Sequence, residues 1–348
     1  MERTLINNIF SINNQQSFQQ MVGEVFNFQY QNNLVYKKWH DVLSKKYEIR
    51  NTKYEEQNTN SGFQISDFNF QISDFKFSFL PISFFKTHKI VSTNFQPQQI
   101  FESSGTTATI NSRHLIKDIG IYKKSFIKTF EMFYGDIKNW CVIGLLPSYL
   151  ERKNSSLVMM VDEMIKISSN KKSGFYLYDF NKLHQTLQEL EKAKQKTLLI
   201  GVSFALLDFA AIYKMNLQHT IVMETGGMKG RRKELTRNEL HGFLKKKLGV
   251  KEIHSEYGMT ELLSQAYSKK DGKFFCPPWM KVLVRDEEDP LQIKTSGKGV
   301  LNIIDLANVY SCSFIATDDV GIVYDDGSFE VWGRLDNSDI RGCSLLVI

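Results

Sequence analysis

Five short stretches of this sequence contain residue types that could take part in chemistry, and the first is ESSGTTATINSRH at positions 102–114. It holds four hydroxyl side chains and one glycine within SSGTT. Small residues let backbone N–H groups approach a phosphate, and hydroxyl groups add further donors. No Gly-Lys-Ser/Thr follows, so this is not a Walker loop. The stretch could bind phosphate, or it could cap a helix that begins near Ser112.

The second stretch, METGGMKGRRKE at positions 223–234, places three glycines directly after a predicted strand. Glycines at this point would let the backbone pass close to a flat base or a phosphate. An ordinary turn with a basic flank would have the same composition. The residues themselves leave both interpretations open.

The third stretch, SEYGMTEL at positions 255–262, brings a ring, a hydroxyl and a carboxylate together. Tyr257 offers a stacking face, and Thr260 offers a hydroxyl. Glu261 could hold Mg²⁺, which usually takes only one or two protein carboxylates beside phosphate oxygens. The alternative is a capping segment, since Thr-Glu is common where helices start.

The fourth and fifth stretches, ATDDVG at 316–321 and WGRLDNSD at 332–339, flank a predicted hairpin. An aspartate can accept two hydrogen bonds from the paired hydroxyls of a ribose. Asp318 or Asp319 could do so, although either could equally be a turn residue.

The cysteines are four in number and widely spaced, with no Cys-x-x-Cys pair: Cys141, Cys276, Cys312 and Cys343. This spacing argues against a zinc site and against a disulfide framework. Cys343 lies in the closing GRLDNSDIRGCSLLVI. It could be a nucleophile, or a small apolar side chain in a terminal strand.

Strand and helix patterns alternate from about position 112 to Gly249, which predicts a parallel sheet covered by helices. Ligands of such folds bind beyond the carboxyl ends of the strands. The first helix of this region is predicted to begin near Ser112 and to include Leu115. After Pro278 short strands follow, with a hairpin signal at Asp326-Gly327, so we expect a small antiparallel module.

The first fifty residues have helical spacing, and RNTKYEEQNTNSG is predicted to be a loop. A seven-residue tandem copy, FQISDFN and FQISDFK, follows at positions 63–76. We interpret it as an insertion in a surface loop, where extra residues cost little, with an added edge strand as the alternative.

The bulk composition excludes several classes of protein. A hydrophobic share of 42% and a charged share of 24% are ordinary for a globular chain of 348 residues. A net charge of +6 without interleaved aromatic and basic residues does not favour nucleic-acid binding. Neither a signal peptide nor a membrane span is indicated. We therefore expect a cytoplasmic protein with free thiols.

Singly these stretches are weak signals, but their order resembles the motif order of the adenylate-forming superfamily: acyl-CoA synthetases, luciferases and peptide-synthetase adenylation domains. The resemblance covers about residues 100–342, and YGMTE is its most specific part. Within the superfamily the chain is most similar to the acyl-protein synthetases of bacterial bioluminescence fatty-acid-reductase complexes. The features that carry this similarity are LPISFFKTHKI, ESSGTT, ETGGMKGR, HSEYGMTEL and GRLDNSDIRGC.

The resemblance implies an α/β fold: the superfamily's large domain, with parallel sheets, flanking helices and a small antiparallel β module near the carboxyl terminus. It implies a helical lead with the inserted repeat loop over residues 1–80 and an adenylate-forming (AMP-binding) domain over 81–333. A short tail over 334–348 would stand in place of the mobile lid domain.

The resemblance also implies a site for ATP and Mg²⁺. The predicted roles are phosphate binding by Ser103, Ser104, Gly105, Thr106 and Thr107; adenine binding by Gly226, Gly227 and Tyr257, with Gly258 beside them; α-phosphate contact by Thr260; Mg²⁺ binding by Glu261; and ribose binding by Asp318, with Arg334 beside it. Thr260, Glu261 and Cys343 would be the catalytic residues.

By the same resemblance, the substrate is a fatty acid, activated to an acyl-adenylate. Cys343 would then carry the acyl group as a thioester and pass it to a partner acyl reductase. An acyl-CoA ligase of the phenylacetate type and a non-catalytic nucleotide-binding subunit of an acyl-processing assembly are the alternatives. The sequence departs from the superfamily at Ala108, where glycine is usual, and in lacking the lysine a few residues later. Arg113, Lys229 or Arg231 could supply that charge.

Overall fold

The computed structural model of the chain describes residues 2–55, 78–103, 110–146, 154–226 and 235–335. Its helices are α1 (Glu2–Ile9), α2 (Gln15–Asn32), α3 (Leu34–Glu55), α4 (Phe84–Thr87), α5 (Ile119–Tyr134), α6 (Ser156–Ser168), α7 (Phe180–Lys192), α8 (Ser203–Ile212) and α9 (Arg237–Leu248). Its strands are β1 (Leu80–Pro81), β2 (Gln99–Glu102), β3 (Arg113–Ile116), β4 (Cys141–Leu145), β5 (Gly174–Phe175), β6 (Thr197–Val202), β7 (Thr220–Thr225), β8 (Ile253–Tyr257), β9 (Ala266–Ser268), β10 (Met280–Arg285), β11 (Ile293–Lys294), β12 (Gly297–Asp305), β13 (Phe314–Val323) and β14 (Phe329–Arg334).

The central sheet has the strand order β5-β4-β6-β7-β8-β9, and its neighbours are parallel as far as β8. Every residue of β4 (CVIGL) and of β6 (TLLIGV) is buried. Such continuous apolar runs are expected where helices cover both faces of a parallel sheet. The predicted parallel sheet is confirmed, and its carboxyl edge is formed by the ends of β6, β7 and β8.

The second sheet has the order β1-β13-β12-β10-β11, with β14 paired to β13. Its strands are antiparallel except for β1, which runs parallel to β13. Gly327 adopts a φ of +78° between β13 and β14, a value that favours glycine over other residues. The hairpin predicted at Asp326-Gly327 is therefore confirmed, and so is the antiparallel module.

The strands β2 and β3 form a two-stranded sheet, and β3 lies where the sequence predicted the start of a helix. Leu115, expected in a helix that begins near Ser112, lies instead in β3. The helix α5 begins at Ile119, where the Asp118 side chain caps it by accepting a hydrogen bond from the backbone N–H of Gly120. The apolar spacing of Leu115 with the residues of α5 was coincidental, and the aspartate marks the true start. Glu102 pairs with Arg113, so the two ends of the hydroxyl-rich stretch lie side by side.

The amino-terminal helices pack on the second sheet and on the loop before β13. Gln29 of α2 is fully buried, and its amide nitrogen donates hydrogen bonds to the carbonyls of Asn308 and Val309, each at 3.0 Å. Its amide oxygen accepts a bond from the backbone N–H of Ser313 at 3.0 Å. Asn33, between α2 and α3, donates to the carbonyl of Ser311 at 2.8 Å.

The helix α3 runs to Glu55, so the loop predicted from Arg50 is wrong over its first six residues, which are helical. The tandem repeat at positions 63–76 lies outside the described residues. No helix in the described ranges combines the length and the apolar character needed to cross a bilayer.

Candidate active site

Four of the predicted site stretches meet at or across from the carboxyl edge of the central sheet. The strand β8 ends at Tyr257, and a turn containing Gly258, Thr260 and Glu261 follows before β9. The neighbouring strand β7 ends at Thr225 and leads into Gly226. Across from them, β13 and β14 of the second sheet present Asp319 and Arg334, which are paired in the strand register.

Tyr257, Asp319 and Arg334 form one connected group. The Tyr257 hydroxyl donates a 2.7 Å hydrogen bond to Oδ2 of Asp319, and Arg334 Nε donates a 2.9 Å bond to Oδ1. Asp319 is only 4% exposed, so both of its carboxylate oxygens have a donor inside the protein. Burial, followed by the charge of Asp319, raises the pKa of Tyr257 well above its usual value, so the phenol remains a donor.

Asp318, predicted to hold the ribose with Arg334 beside it, occupies a different position. Successive residues of a strand point to opposite faces, and Asp318 is half-buried where Asp319 is buried. Its charge acts on Arg285, and its backbone carbonyl accepts a bond from the N–H of Leu335 at 2.8 Å. The carboxylate beside Arg334 is that of Asp319, so the sequence prediction named the wrong member of the pair as the neighbour of Arg334.

Glu261 lies against the hydroxyl-rich stretch. It is buried, and burial raises the pKa of its carboxyl group, an effect opposed by a hydrogen bond from the Ser112 side chain and by the charges of Arg334 and Lys86. Ser112 itself is tied to Ser103: its N–H donates to Ser103 Oγ at 2.9 Å, and its carbonyl accepts from the N–H of Ser103 at 3.1 Å. Ser103, Ser112 and Glu261 therefore converge from two distant parts of the chain.

Thr260 is positioned through its backbone by a histidine that the sequence prediction missed. The Nδ1 atom of His114 lies 2.9 Å from the carbonyl oxygen of Thr260, and Nε2 lies 2.8 Å from Ser311 Oγ. Since a carbonyl only accepts, Nδ1 must carry the proton and Nε2 must accept the hydroxyl of Ser311. Burial lowers the pKa of His114 to about 4, which keeps the ring neutral. His114 stood in the quoted stretch 102–114, but nothing in the spacing pointed to Thr260.

At both described glycines of the site, the backbone conformation or a close neighbour disfavours any larger residue. Gly226 adopts a φ of +70°, and its carbonyl accepts a 2.8 Å hydrogen bond from Ser203 Oγ. Gly258 is exposed, and a Cβ built on it would lie 2.5 Å from Oε1 of Glu256. No side chain fits at Gly258 unless Glu256 moves, so the surface above the end of β8 stays open.

Glu256 is a second residue that the sequence prediction did not single out. It is buried, and it accepts a hydrogen bond from the hydroxyl of Thr225 on the neighbouring strand. Burial raises its pKa to about 7; the bond from Thr225 opposes the rise, and the charge of Glu224 adds to it. The only sequence signal was a charged residue inside a strand that is otherwise buried.

The three described cysteines are poor nucleophiles. Burial raises the pKa of Cys141, Cys276 and Cys312, in the last case to about 12. The thiolate is the reactive form of cysteine, so these side chains stay largely unreactive near neutral pH.

Several predicted residues lie outside the described part of the chain: Ser104, Gly105, Thr106, Thr107, Ala108, Gly227, Lys229, Arg231 and Cys343. Arg113 is described, and its Nε lies 3.6 Å from Oε1 of Glu102 on the paired strand. Its charge is thus already compensated by a carboxylate.

The donor set at Glu261 fits Mg²⁺ bound together with a polyphosphate. The described residues contain no group of three or more His, Cys, Asp or Glu side chains that could enclose a metal ion. Mg²⁺ does not require such a group, because it usually binds one or two carboxylates and completes its shell with phosphate oxygens and water. Glu261 is a buried carboxyl group whose ionised form is disfavoured by burial, and a bound cation would favour that form.

Solved structures share this fold. An ATP-bound RpMatB-BxBclM chimera matches with a TM-score of 0.51, at 17% identity over 68% of this chain. ATP-bound MatB from Rhodopseudomonas palustris matches with a TM-score of 0.51, at 16% identity over 70% of this chain. The matches cover 47% and 49% of those structures, so the chain spans about half their length. No protein-family model and no curated protein sequence matches the chain.

At such identities the likeness concerns the fold alone. The chain, with its parallel sheet, flanking helices and antiparallel module, shares the fold of these two structures over 68% and 70% of its length. The fold predicted from the motif order is confirmed for the described ranges.

Proposed function

We propose that this protein is an ATP-dependent acid–thiol ligase that activates a carboxylic acid as its acyl-adenylate. One observation carries the proposal: Ser103, Tyr257, Glu261, Asp319 and Arg334 come from four separate sequence stretches, and all lie in two connected groups at one edge of the fold. Arg334 joins the groups, since it binds Asp319 directly and its charge acts on Glu261.

The nucleoside binds at the Tyr257 group. The Tyr257 ring, with the backbone of Gly226, Gly227 and Gly258, holds the adenine. Asp319 accepts the ribose hydroxyls, with Arg334 beside it. We assign the ribose to Asp319 rather than to Asp318, because Asp319 is the carboxylate that lies next to Tyr257 and Arg334.

The phosphates bind between the hydroxyl-rich stretch and Glu261. Ser103 and the residues that follow it, Ser104, Gly105, Thr106 and Thr107, provide donors to the phosphates, and Thr260 contacts the α-phosphate. Glu261 would hold Mg²⁺, which supplies neutralisation of the phosphate charge when bound.

The reaction needs this concentration of donors because its partners are both anions. An oxygen of the substrate carboxylate attacks the α-phosphorus, a new P–O bond forms, and the bond to the β-phosphate oxygen breaks to release pyrophosphate. Fixed donors that stabilise developing charge, together with positioning, are the largest contributions that a protein can make to such a step. The hydrogen bonds from His114 to Thr260 and from Ser112 to Glu261 hold these two site residues in fixed positions.

We propose a fatty acid as the substrate and Cys343 as the acyl acceptor. The thiolate of Cys343 attacks the acyl carbon, the C–O bond to AMP breaks, and AMP leaves with the electron pair, while the thiol proton passes to solvent. The other three cysteines are held as thiols by burial, which supports Cys343 by comparison. A partner acyl reductase would take the acyl group from the thioester.

The test is to incubate the purified protein with ATP, Mg²⁺ and a radiolabelled long-chain fatty acid, and to measure pyrophosphate release and hydroxylamine-sensitive label on the protein. We expect both with the wild type. Cys343→Ser should keep pyrophosphate release and lose the label, whereas the control Cys276→Ser should keep both.

Other outcomes would select the alternatives. Label that appears only on added coenzyme A would identify an acyl-CoA ligase of the phenylacetate type. Nucleotide binding without pyrophosphate release, over a series of acids, would contradict an enzymatic role and leave a nucleotide-binding subunit.

A further inference from the structure

The negative charge of a bound nucleotide must be balanced by cations at the proposed site. A triphosphate brings several negative charges next to the carboxylate of Glu261, and the hydroxyl-rich stretch at positions 102–114 contains no lysine. Two arginines near the site are already paired, Arg113 with Glu102 and Arg334 with Asp319. Lys229 and Arg231 lie outside the described residues, so among the described residues another cation is needed to balance the phosphates.

Lys86, in the stretch LPISFFKTHKI, is placed next to the site by a chain of buried contacts. Its neighbour Phe85 is 1% exposed, and the Phe85 ring meets the ring of His114 edge to face, with centroids 5.6 Å apart. His114 in turn bonds to the Thr260 carbonyl at 2.9 Å. The short helix α4 is thereby fixed against the turn that carries Thr260 and Glu261, and Lys86 projects from it as an exposed residue.

The charge of Lys86 acts on Glu261, although Lys86 forms no ion pair with it. Together with Arg334, it is one of the two cations whose charge favours the ionised form of Glu261. Among the described residues, Lys86 makes no ion pair with any carboxylate, Glu261 included. The ammonium group of Lys86 is therefore available to bind an anion near Glu261.

We propose that Lys86 is the cation that binds the polyphosphate of the nucleotide in this protein, in place of a lysine within the hydroxyl-rich stretch. The proposal rests on the nucleotide site proposed above. An ammonium group is a compact point charge with three donors, which suits the β- and γ-phosphate oxygens beyond Glu261. The α-phosphate would remain with Thr260, so Lys86 selects for the triphosphate over the monophosphate.

The test compares the dissociation constants of ATP, AMP and adenosine, measured by equilibrium binding with Mg²⁺, for the wild type and three variants. Lys86→Met should weaken ATP binding about 10- to 100-fold, weaken AMP binding much less, and leave adenosine binding unchanged. Lys86→Arg should restore most of the ATP affinity. The matched control is Lys89→Met, because Lys89 is also exposed but lines a separate groove with Asn33 and Val91.

Each contrary result has its own meaning. If Lys86→Met binds ATP as tightly as the wild type, the proposal for Lys86 is wrong while the nucleotide site stands. Equal losses for ATP, AMP and adenosine would also contradict it, since a structural disturbance does not distinguish phosphates. A wild type that binds none of the three ligands would overturn the nucleotide site and, with it, the role of Lys86.

Discussion

The hydroxyl of Tyr257 and the carboxylate of Asp319 are 62 positions apart in the chain and are joined by a 2.7 Å hydrogen bond. The bond links the end of a parallel strand in the central sheet to an antiparallel strand in the second sheet. It also leaves Asp319 with one donor from each sheet, because Arg334 of β14 binds its other oxygen. The boundary between the two sheets is therefore where the proposed nucleoside would lie.

Replacing Asp319 should therefore have a larger effect on nucleotide affinity than replacing its neighbour. We expect Asp319→Asn to weaken ATP binding about tenfold or more, since an ionised acceptor of hydrogen bonds is lost. The loss for Asp318→Asn should be much smaller, because that side chain faces Arg285. Equilibrium binding of ATP to both variants measures the difference. An equal loss of ATP affinity in the two variants, or a larger loss in Asp318→Asn, would contradict the assignment of the ribose to Asp319.

Gly258→Ala should destabilise the fold by about 1–3 kcal/mol, because the new methyl group would overlap the Glu256 carboxylate, which Thr225 holds in place. Urea denaturation measures the change in the free energy of unfolding. In the double variant with Glu256→Ala the clash is removed, so the two substitutions should not be additive. The matched control is Gly242→Ala in α9, where a Cβ would meet nothing within 4 Å and a small gain in stability is expected. Additive losses for the Gly258 and Glu256 variants would contradict the proposed clash.

Glu256 should make the protein less stable as the pH rises. Its pKa is about 7 when folded and 4.5 in the reference state, so the folded protein holds an extra proton between those values. Stability conferred by the protonated form is present at pH 4.5 and is lost as the pH approaches 7, by up to about 3 kcal/mol. Glu256→Gln should therefore stabilise the protein at pH 8 and change little at pH 4.5. Urea denaturation at the two pH values tests this, and a gain at low pH alone would contradict it.

His114 should make the protein less stable as the pH falls, the opposite of the effect of Glu256. Its pKa is about 4 when folded and 6.5 in the reference state, so folding favours the neutral ring. The stability that it confers is present above pH 6.5 and falls as the pH drops toward 4, again by up to about 3 kcal/mol. His114→Gln keeps a donor for the Thr260 carbonyl and an acceptor for Ser311, so its stability should fall less between pH 7 and pH 4.5 than that of the wild type. Thermal unfolding at these two pH values gives the comparison, and parallel losses would show that His114 does not titrate on unfolding.

Hydrophobic periodicity and the residues typical of turns were sufficient to predict most of the fold. The predicted alternation of strands and helices that ends at Gly249 includes β6, β7 and α9, since buried apolar runs and a helix that stops before a glycine are local signals. The start of α5 was missed because Leu115 happens to continue the helical spacing of Ile119 and Tyr122.

The site was predictable by residue type but not by pairing. Tyr257 and Glu261 followed from their own motif, yet the choice between Asp318 and Asp319 depends on which face of β13 meets Tyr257, and this is fixed only when the two sheets pack. The same is true of His114, Glu256 and Lys86. The bonds of His114 and Glu256, and the contact of Phe85 that positions Lys86, are decided by tertiary packing, which no short stretch of sequence encodes.

The bonds from Gln29 to Asn308, Val309 and Ser313 have a consequence for biosynthesis. Gln29 and Ser313 are separated by 284 positions, so the buried amide of α2 has no partner until the ribosome has made nearly the whole described chain. At typical translation rates of about 5–20 residues per second, that delay is roughly 15–60 s. During this interval the apolar face of α2 is without its final packing surface. The amino-terminal helices are thus a place where a nascent chain would bind chaperones.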